Sequence, residues 1–211
     1  MTAVRGKLKL FIKDLVDGIK DDVVSVILLG SITDDTWKEG VSDIDLFIVA
    51  KNKRKKELLK KMFFLFLKLD KKYNVGLGRI TFGRGKNIFV KLFIQFEYYF
   101  LYNVPYYVVE EDDIILNGFV LKDWKARFLS LFGSMKIFGL GLKRNGIVIY
   151  GKNILPKIRI SQINVFDRLK FLFSLFAIFF LGIIIFPFSP TIGRRHLDKV
   201  IKRYGIIRGM S

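Results

Sequence analysis

The chain has 211 residues, 51% of them hydrophobic and 15% aromatic, which excludes a disordered polypeptide and leaves room for one domain with an appendage or for two small domains. It has no cysteine and a single histidine, which excludes a disulfide framework, a cysteine-ligated zinc site, thiol catalysis and a multi-histidine metal centre. Its 37 Lys and Arg residues against 19 Asp and Glu leave a net charge of +18, which points to an anionic partner such as a nucleic acid, a nucleotide or a membrane surface.

The N-terminal residues hold no uninterrupted apolar run and no small-residue cleavage site, so no signal peptide is expected and the chain reads as cytoplasmic. Residues 7–20 predict an amphipathic helix with Leu8, Phe11, Leu15, Val16 and Ile19 on one stripe. Val23 to Leu29 is short, apolar and rich in β-branched residues, which predicts a buried strand ending at Gly30-Ser31. Residues 32–42 are polar and turn-like, and Asp43 to Val49 predicts a second strand. Residues 53–72 predict a helix with Leu58, Leu59, Met62, Phe63, Phe66 and Leu69 facing inward. Residues 76–88 are glycine-rich and hairpin-like, with strands expected at 88–99 and 104–110. A helix is expected over 122–142, and Gly146 to Gly151 reads as a short extended piece. Gly133-Ser134 falls inside that helical pattern and reads as packing.

The sharpest chemical feature is Leu29-Gly30-Ser31 followed, after eleven residues, by Asp43-Ile44-Asp45-Leu46. Successive side chains of a strand alternate faces, so Asp43 and Asp45 project from one side, roughly 7 Å apart along the strand. Two carboxylates so placed suit one or two hard divalent cations, of which Mg²⁺ completes its shell with water and phosphate oxygens. Gly30 lets the backbone approach a ligand closely, and the N–H groups of the turn with the Ser31 hydroxyl suit a phosphate. Metal-binding carboxylates beside a phosphate-binding turn make a site for phosphoryl-type transfer.

Gly30-Ser31, the spacing, and Asp43-Ile44-Asp45 in an apolar strand resemble the polymerase-β-like nucleotidyltransferase superfamily, and most closely its small prokaryotic branch, the minimal nucleotidyltransferases. The resemblance is sharpest over residues 23–49 and extends to the helices on either side. It implies an α+β fold, a mixed β-sheet core with flanking helices. It also implies transfer of a nucleoside monophosphate from an NTP to a hydroxyl acceptor on a protein or RNA. In that reading Gly30 and Ser31 hold the nucleotide, and Asp43 and Asp45 bind Mg²⁺ or Mn²⁺. Members that catalyse carry a third carboxylate on an adjacent strand. Glu97 and Glu110 are the candidates here, while Pro105 and Tyr106 occupy the stretch where an Asp is expected. A catalytically weak or inactive binding module is therefore the alternative reading.

Other features carry less. Gly83-Arg84-Gly85-Lys86 lacks the first glycine and the final Ser or Thr of a phosphate loop and reads as a hairpin tip. Residues 171–189 run without a charge between Arg168 and Lys170 on one side and Arg194 and Arg195 on the other. Two readings stand for this hydrophobic helical segment, a membrane-associated or spanning helix and a helix buried against protein. Residues 194–208 form a basic tail suited to an anionic partner, and His196 reads as a solvated member of it. The charge is unevenly spread, since residues 1–121 carry a net +4 and residues 122–211 a net +14. The expected organisation is a core over 1–121, a helical extension over 122–165, and a hydrophobic helix with a basic tail over 166–211.

Overall fold

The computed structural model describes residues 2–33, 44–73, 88–92, 106–111 and 134–208. Helix α1 spans Thr2–Ile19, strand β1 Val23–Leu29, β2 Asp45–Ala50, α2 Lys55–Tyr73 and β3 Tyr106–Glu110. Helix α3 follows at Met135–Asn145, β4 at Ile147–Gly151, α4 at Val165–Ile185 and α5 at Pro190–Arg208. Among the described residues four strands form one mixed sheet in the order β3-β2-β1-β4. β1 is antiparallel to both β2 and β4, whereas β2 and β3 run parallel. The α+β class and the mixed sheet expected from the sequence are those of the structure.

Both faces of the sheet are covered, which explains why its two central strands read as nearly continuous apolar runs. On one face α1 contributes Leu8, Phe11, Leu15 and Ile19, and α2 contributes Leu58, Met62, Phe66 and Leu69. These side chains recur at three- and four-residue intervals, so each helix turns one stripe to Val26, Leu28, Ile44, Leu46 and Ile48. Each buried Leu, Phe or Met contributes roughly 1.5–3 kcal/mol over leaving it in water. Phe11 meets Phe66 edge-on with centroids 5.1 Å apart. On the opposite face Ile27, Leu29, Phe47, Val49 and Val109 pack against Leu142 of α3 and against Ile154 and Ile158 after β4.

Several expectations need correction. Leu59 lies outside the α2 stripe and is exposed. Residues 88–92 form a helical turn where a strand was expected, and the rest of 88–99 lies outside the described residues. The hairpin expected at 76–88, with Gly83 to Lys86, and the first part of the helix expected at 122–142 also lie outside them. Ser134 does not sit within a helix but starts one, because its Oγ accepts the Ile137 N–H and caps α3. Residues 147–151, placed in the extension by the sequence, complete the core sheet as its edge strand beside β1.

The C-terminal part is a helical hairpin. Asn164 and Asp167 form a reciprocal capping box that starts α4. Asp167 also accepts a hydrogen bond from Ser134 Oγ at 2.9 Å and pairs with Lys136 at 3.0 Å, which ties the start of α4 to α3. α4 ends ahead of Pro187, and Pro190 opens α5 at a position that needs no N–H. Gly182 of α4 faces His196 and Leu197 of α5. Gly193 of α5 lies so close to Phe186 that an added Cβ would stand 2.8 Å from its Cα. His196 is not a solvated residue of a basic tail: it is 4% exposed, and its Nδ1 lies 2.9 Å from the Ile192 carbonyl oxygen one turn back. α4 is neither wholly buried nor free of protein, since one face packs through Phe171, Leu175, Gly182 and Ile185 while the other is open.

Candidate functional site

The site is built where β1 ends. Leu29 pairs with Asp45 in the antiparallel ladder, so the residue after Leu29 emerges beside the Asp45 side chain. That residue is Gly30, with φ of +74°, in the left-handed region that glycine enters without a Cβ penalty. A Cβ at position 30 would overlap the Asp45 carboxylate oxygen Oδ2. Glycine is therefore favoured by its backbone conformation, and any Cβ there would also make the Asp45 carboxylate shift.

The chain then makes one 3-10 turn over Gly30–Ile32. The turn is closed by Thr33, whose N–H and Oγ1 both donate to the Gly30 carbonyl oxygen, at 3.0 and 2.8 Å. Ile32 anchors the turn to the core that α1 and α2 cover. Thr33 was not singled out by sequence reasoning. Its signal was present as a hydroxyl residue three positions after a turn glycine.

Alternation along β2 holds as expected. Ile44, Leu46 and Ile48 point into the α1/α2 side, and Phe47 and Val49 into the α3 side. Asp45 shares the α3 side with Phe47, which is fully buried and packs against Phe138 at 6.4 Å between centroids. Asp45 itself is half-buried at the mouth of this face. The carboxylate thus stands beside the Gly30 turn, on the same face of the sheet as the apolar Phe47 and Val49.

The structure thus brings Gly30 and Asp45 together. Asp43 and Glu97 lie outside the described residues, and of Ser31 only the backbone, within the turn, is described. Glu110 does not join the site. β3 pairs in parallel register with β2, Tyr106 opposite Leu46 and Glu110 opposite Ala50. Glu110 therefore stands five residues along from the Asp45 level, roughly 16 Å at the usual strand rise. It also stands on the other face, with Ala50. Among the described residues no three His, Asp or Glu side chains gather as a metal-binding group.

Two other carboxylates have sharply tuned environments and serve the scaffold. Asp14 of α1 accepts hydrogen bonds from Lys72 Nζ at 2.7 Å and the Tyr73 hydroxyl at 2.5 Å in α2, which hold its carboxyl below the usual range. Asp22, just before β1, is lowered chiefly by its 2.6 Å hydrogen bond from Lys61, with Arg54 adding to it.

Residues 7–98 match the family model described as a nucleotidyltransferase domain, a stretch that begins within α1 and takes in β1, the Gly30 turn, β2 and α2. This part of the chain is a nucleotidyltransferase domain, consistent with the polymerase-β-like superfamily. No curated protein and no solved structure matches the chain.

Proposed function

With residues 7–98 as a nucleotidyltransferase domain, we propose that the protein transfers a nucleoside monophosphate from an NTP to a hydroxyl acceptor, at the turn between β1 and β2. The observation that carries this is Gly30 in its left-handed conformation, set directly against the Asp45 carboxylate. There a backbone free of side-chain bulk meets a carboxylate where β1 ends and β2 begins.

The donor set fits a divalent cation of the Mg²⁺ or Mn²⁺ kind. Asp45 supplies a hard oxygen ligand and Asp43, two residues before it, a second, which is the number such an ion takes when phosphates complete its shell. Held by these carboxylates, such an ion would supply charge neutralisation for the triphosphate. The chain's own contribution is positioning. The Gly30–Ile32 turn presents backbone N–H groups to phosphate oxygens, Thr33 keeps the turn closed, and the Leu29–Asp45 pairing fixes turn and carboxylate in one register.

The test incubates the full chain with labelled NTPs, Mg²⁺ or Mn²⁺, and protein or RNA acceptors. Label transfer by wild type, reduced on the order of 10²–10³-fold in Asp45→Asn with an unchanged melting curve, is the expected result. A second reading, a nucleotide-binding module without turnover, is favoured by the placement of Glu110 away from Asp45. It predicts metal-dependent NTP binding without label transfer. Equal inactivity of wild type and variant, with neither binding NTP, overturns both.

A further inference from the structure

Helix α4 carries no charge beyond Lys170, yet only one of its sides is covered. Phe166, Leu169, Phe173, Phe176, Phe180 and Ile184 are between 54% and 73% exposed. At 100° per residue these six fall within an arc of about 80°, and Phe171, Leu175, Gly182 and Ile185 fall on the opposite side. The stripe runs over 19 residues, about 27 Å, which far exceeds the scattered apolar exposure of an ordinary soluble surface.

The surroundings of the stripe say what covers it. No acidic residue lies between Asp167 and Asp198, and residues 122–211 carry a net +14. Arg159, Arg168, Lys170 and Arg194 are exposed around the two ends of α4. At its N-terminal end a cleft of about 330 Å³ between α3 and α4 is lined, among the described residues, by Arg144, Gln162 and Arg168 with Leu140 and Ile163. An apolar stripe rimmed by exposed cations, in a segment with a large excess of positive charge, is complementary to a bilayer with anionic headgroups. A second copy of this chain would bring the same positive rim and be repelled.

The packing of α4 decides how it meets the bilayer. α4 has the length and hydropathy of a spanning helix. But its first half is held by Ile137 and Ile163 around Phe171 and Leu175, and its C-terminal end by Val90 against Ile185 and by Phe89 stacked on Phe188. α5 also lies along it, and Arg194, Asp198 and Lys199 would be carried into hydrocarbon at roughly 2.5–3.5 kcal/mol for each charge near the centre. Contacts at both ends and a charged companion keep α4 parallel to the surface.

We propose that the α4–α5 hairpin seats the protein on anionic bilayers, with α4 lying in the interface, its Phe and Ile stripe in the acyl boundary and the flanking arginines at lipid phosphates. This is independent of the transfer activity.

The chain's lack of cysteine makes the test clean. Phe166→Cys, Phe176→Cys and Ile184→Cys in the full-length protein are each labelled with an environment-sensitive dye. They are mixed with phosphatidylcholine vesicles with and without phosphatidylserine. The expected result is binding only when phosphatidylserine is present, weakened at least about tenfold by high salt, with all three labels at one shallow depth. Phe176→Ser/Phe180→Ser, both exposed and so expected to melt like wild type, should lose at least about tenfold in vesicle affinity without any cysteine or dye. Three findings overturn the proposal. One is a deep label at 176 with labels 166 and 184 near opposite surfaces, which is a spanning helix. Another is unlabelled wild type that ignores both vesicle types. The third is a wild-type dimer that dissociates in the double variant while vesicle binding is unchanged.

Discussion

At the scale of single residues the structure ties the proposed chemistry to Gly30. Any side chain there has to take up a left-handed backbone, at about 1–2 kcal/mol, and also displace Asp45. Gly30→Ala should therefore lower the melting temperature by roughly 2–8 °C and remove metal-dependent NTP binding together. Thr33→Val, which keeps the shape and removes the hydroxyl, should cost about 0.5–1.5 kcal/mol and weaken nucleotide binding without abolishing it, since the Thr33 N–H still closes the turn. Calorimetry and NTP titration of both variants check this. A Gly30→Ala protein that binds NTP normally would detach the turn from the site. The Gly-Ser and Asp-x-Asp pattern was legible in the sequence because spacing and alternation are one-dimensional. That Gly30 abuts Asp45 and not another strand residue was not, since it depends on which register β1 and β2 adopt.

At the scale of elements, legibility followed the range of the forces involved. α1, β1 and α2 were readable because a stripe or a run of β-branched residues carries its own signal. The start of α3 at Ser134 and the burial of His196 were not. The Ser134 hydroxyl caps α3 locally through the Ile137 N–H but is held in place by Asp167, far along the chain, and His196 is buried against Gly182 of the neighbouring helix. The junction of α3 and α4 rests on Asp167, which is 14% exposed and bonded to Asn164, Ser134 and Lys136. Burial opposes its ionisation, but the Asn164 N–H, Lys136 and Ser134 outweigh that and lower its pKa. Asp167→Ala should cost roughly 1.5–3 kcal/mol, and Ser134→Ala about 1 kcal/mol through the lost cap. The two costs should not add, because they share one hydrogen bond. Chemical denaturation of the two single variants and the double variant measures the coupling.

At the scale of the whole molecule, three depressed carboxylates clamp neighbouring elements. Asp14 joins α1 to α2, Asp22 joins the approach to β1 to α2, and Asp167 joins α4 to α3. A carboxylate whose folded pKa lies below its unfolded value binds fewer protons when folded, so its stabilisation is full above the unfolded value of 3.8 and drains away as pH falls below it. Protonating the acidic residues also roughly doubles the net charge of +18, and the self-repulsion acts in the same direction. The melting temperature should therefore be flat from neutral pH down to about 5 and fall steeply below about 4. Lys61→Met separates the two causes. It removes the strongest partner of Asp22 and so reduces stability at neutral pH, where the clamp is formed. As pH falls from 3.8 through the depressed folded pKa of Asp22 both proteins lose that clamp, so their melting curves should converge at the acid end, the variant having one positive charge fewer. Molar salt at neutral pH should weaken the Asp14 and Asp22 clamps, whose lysines are about half exposed, more than the Asp167 junction. If instead wild type and Lys61→Met stay equally far apart at every pH, the lysine acts through packing of its stem, and Asp22 does not contribute to the acid limb.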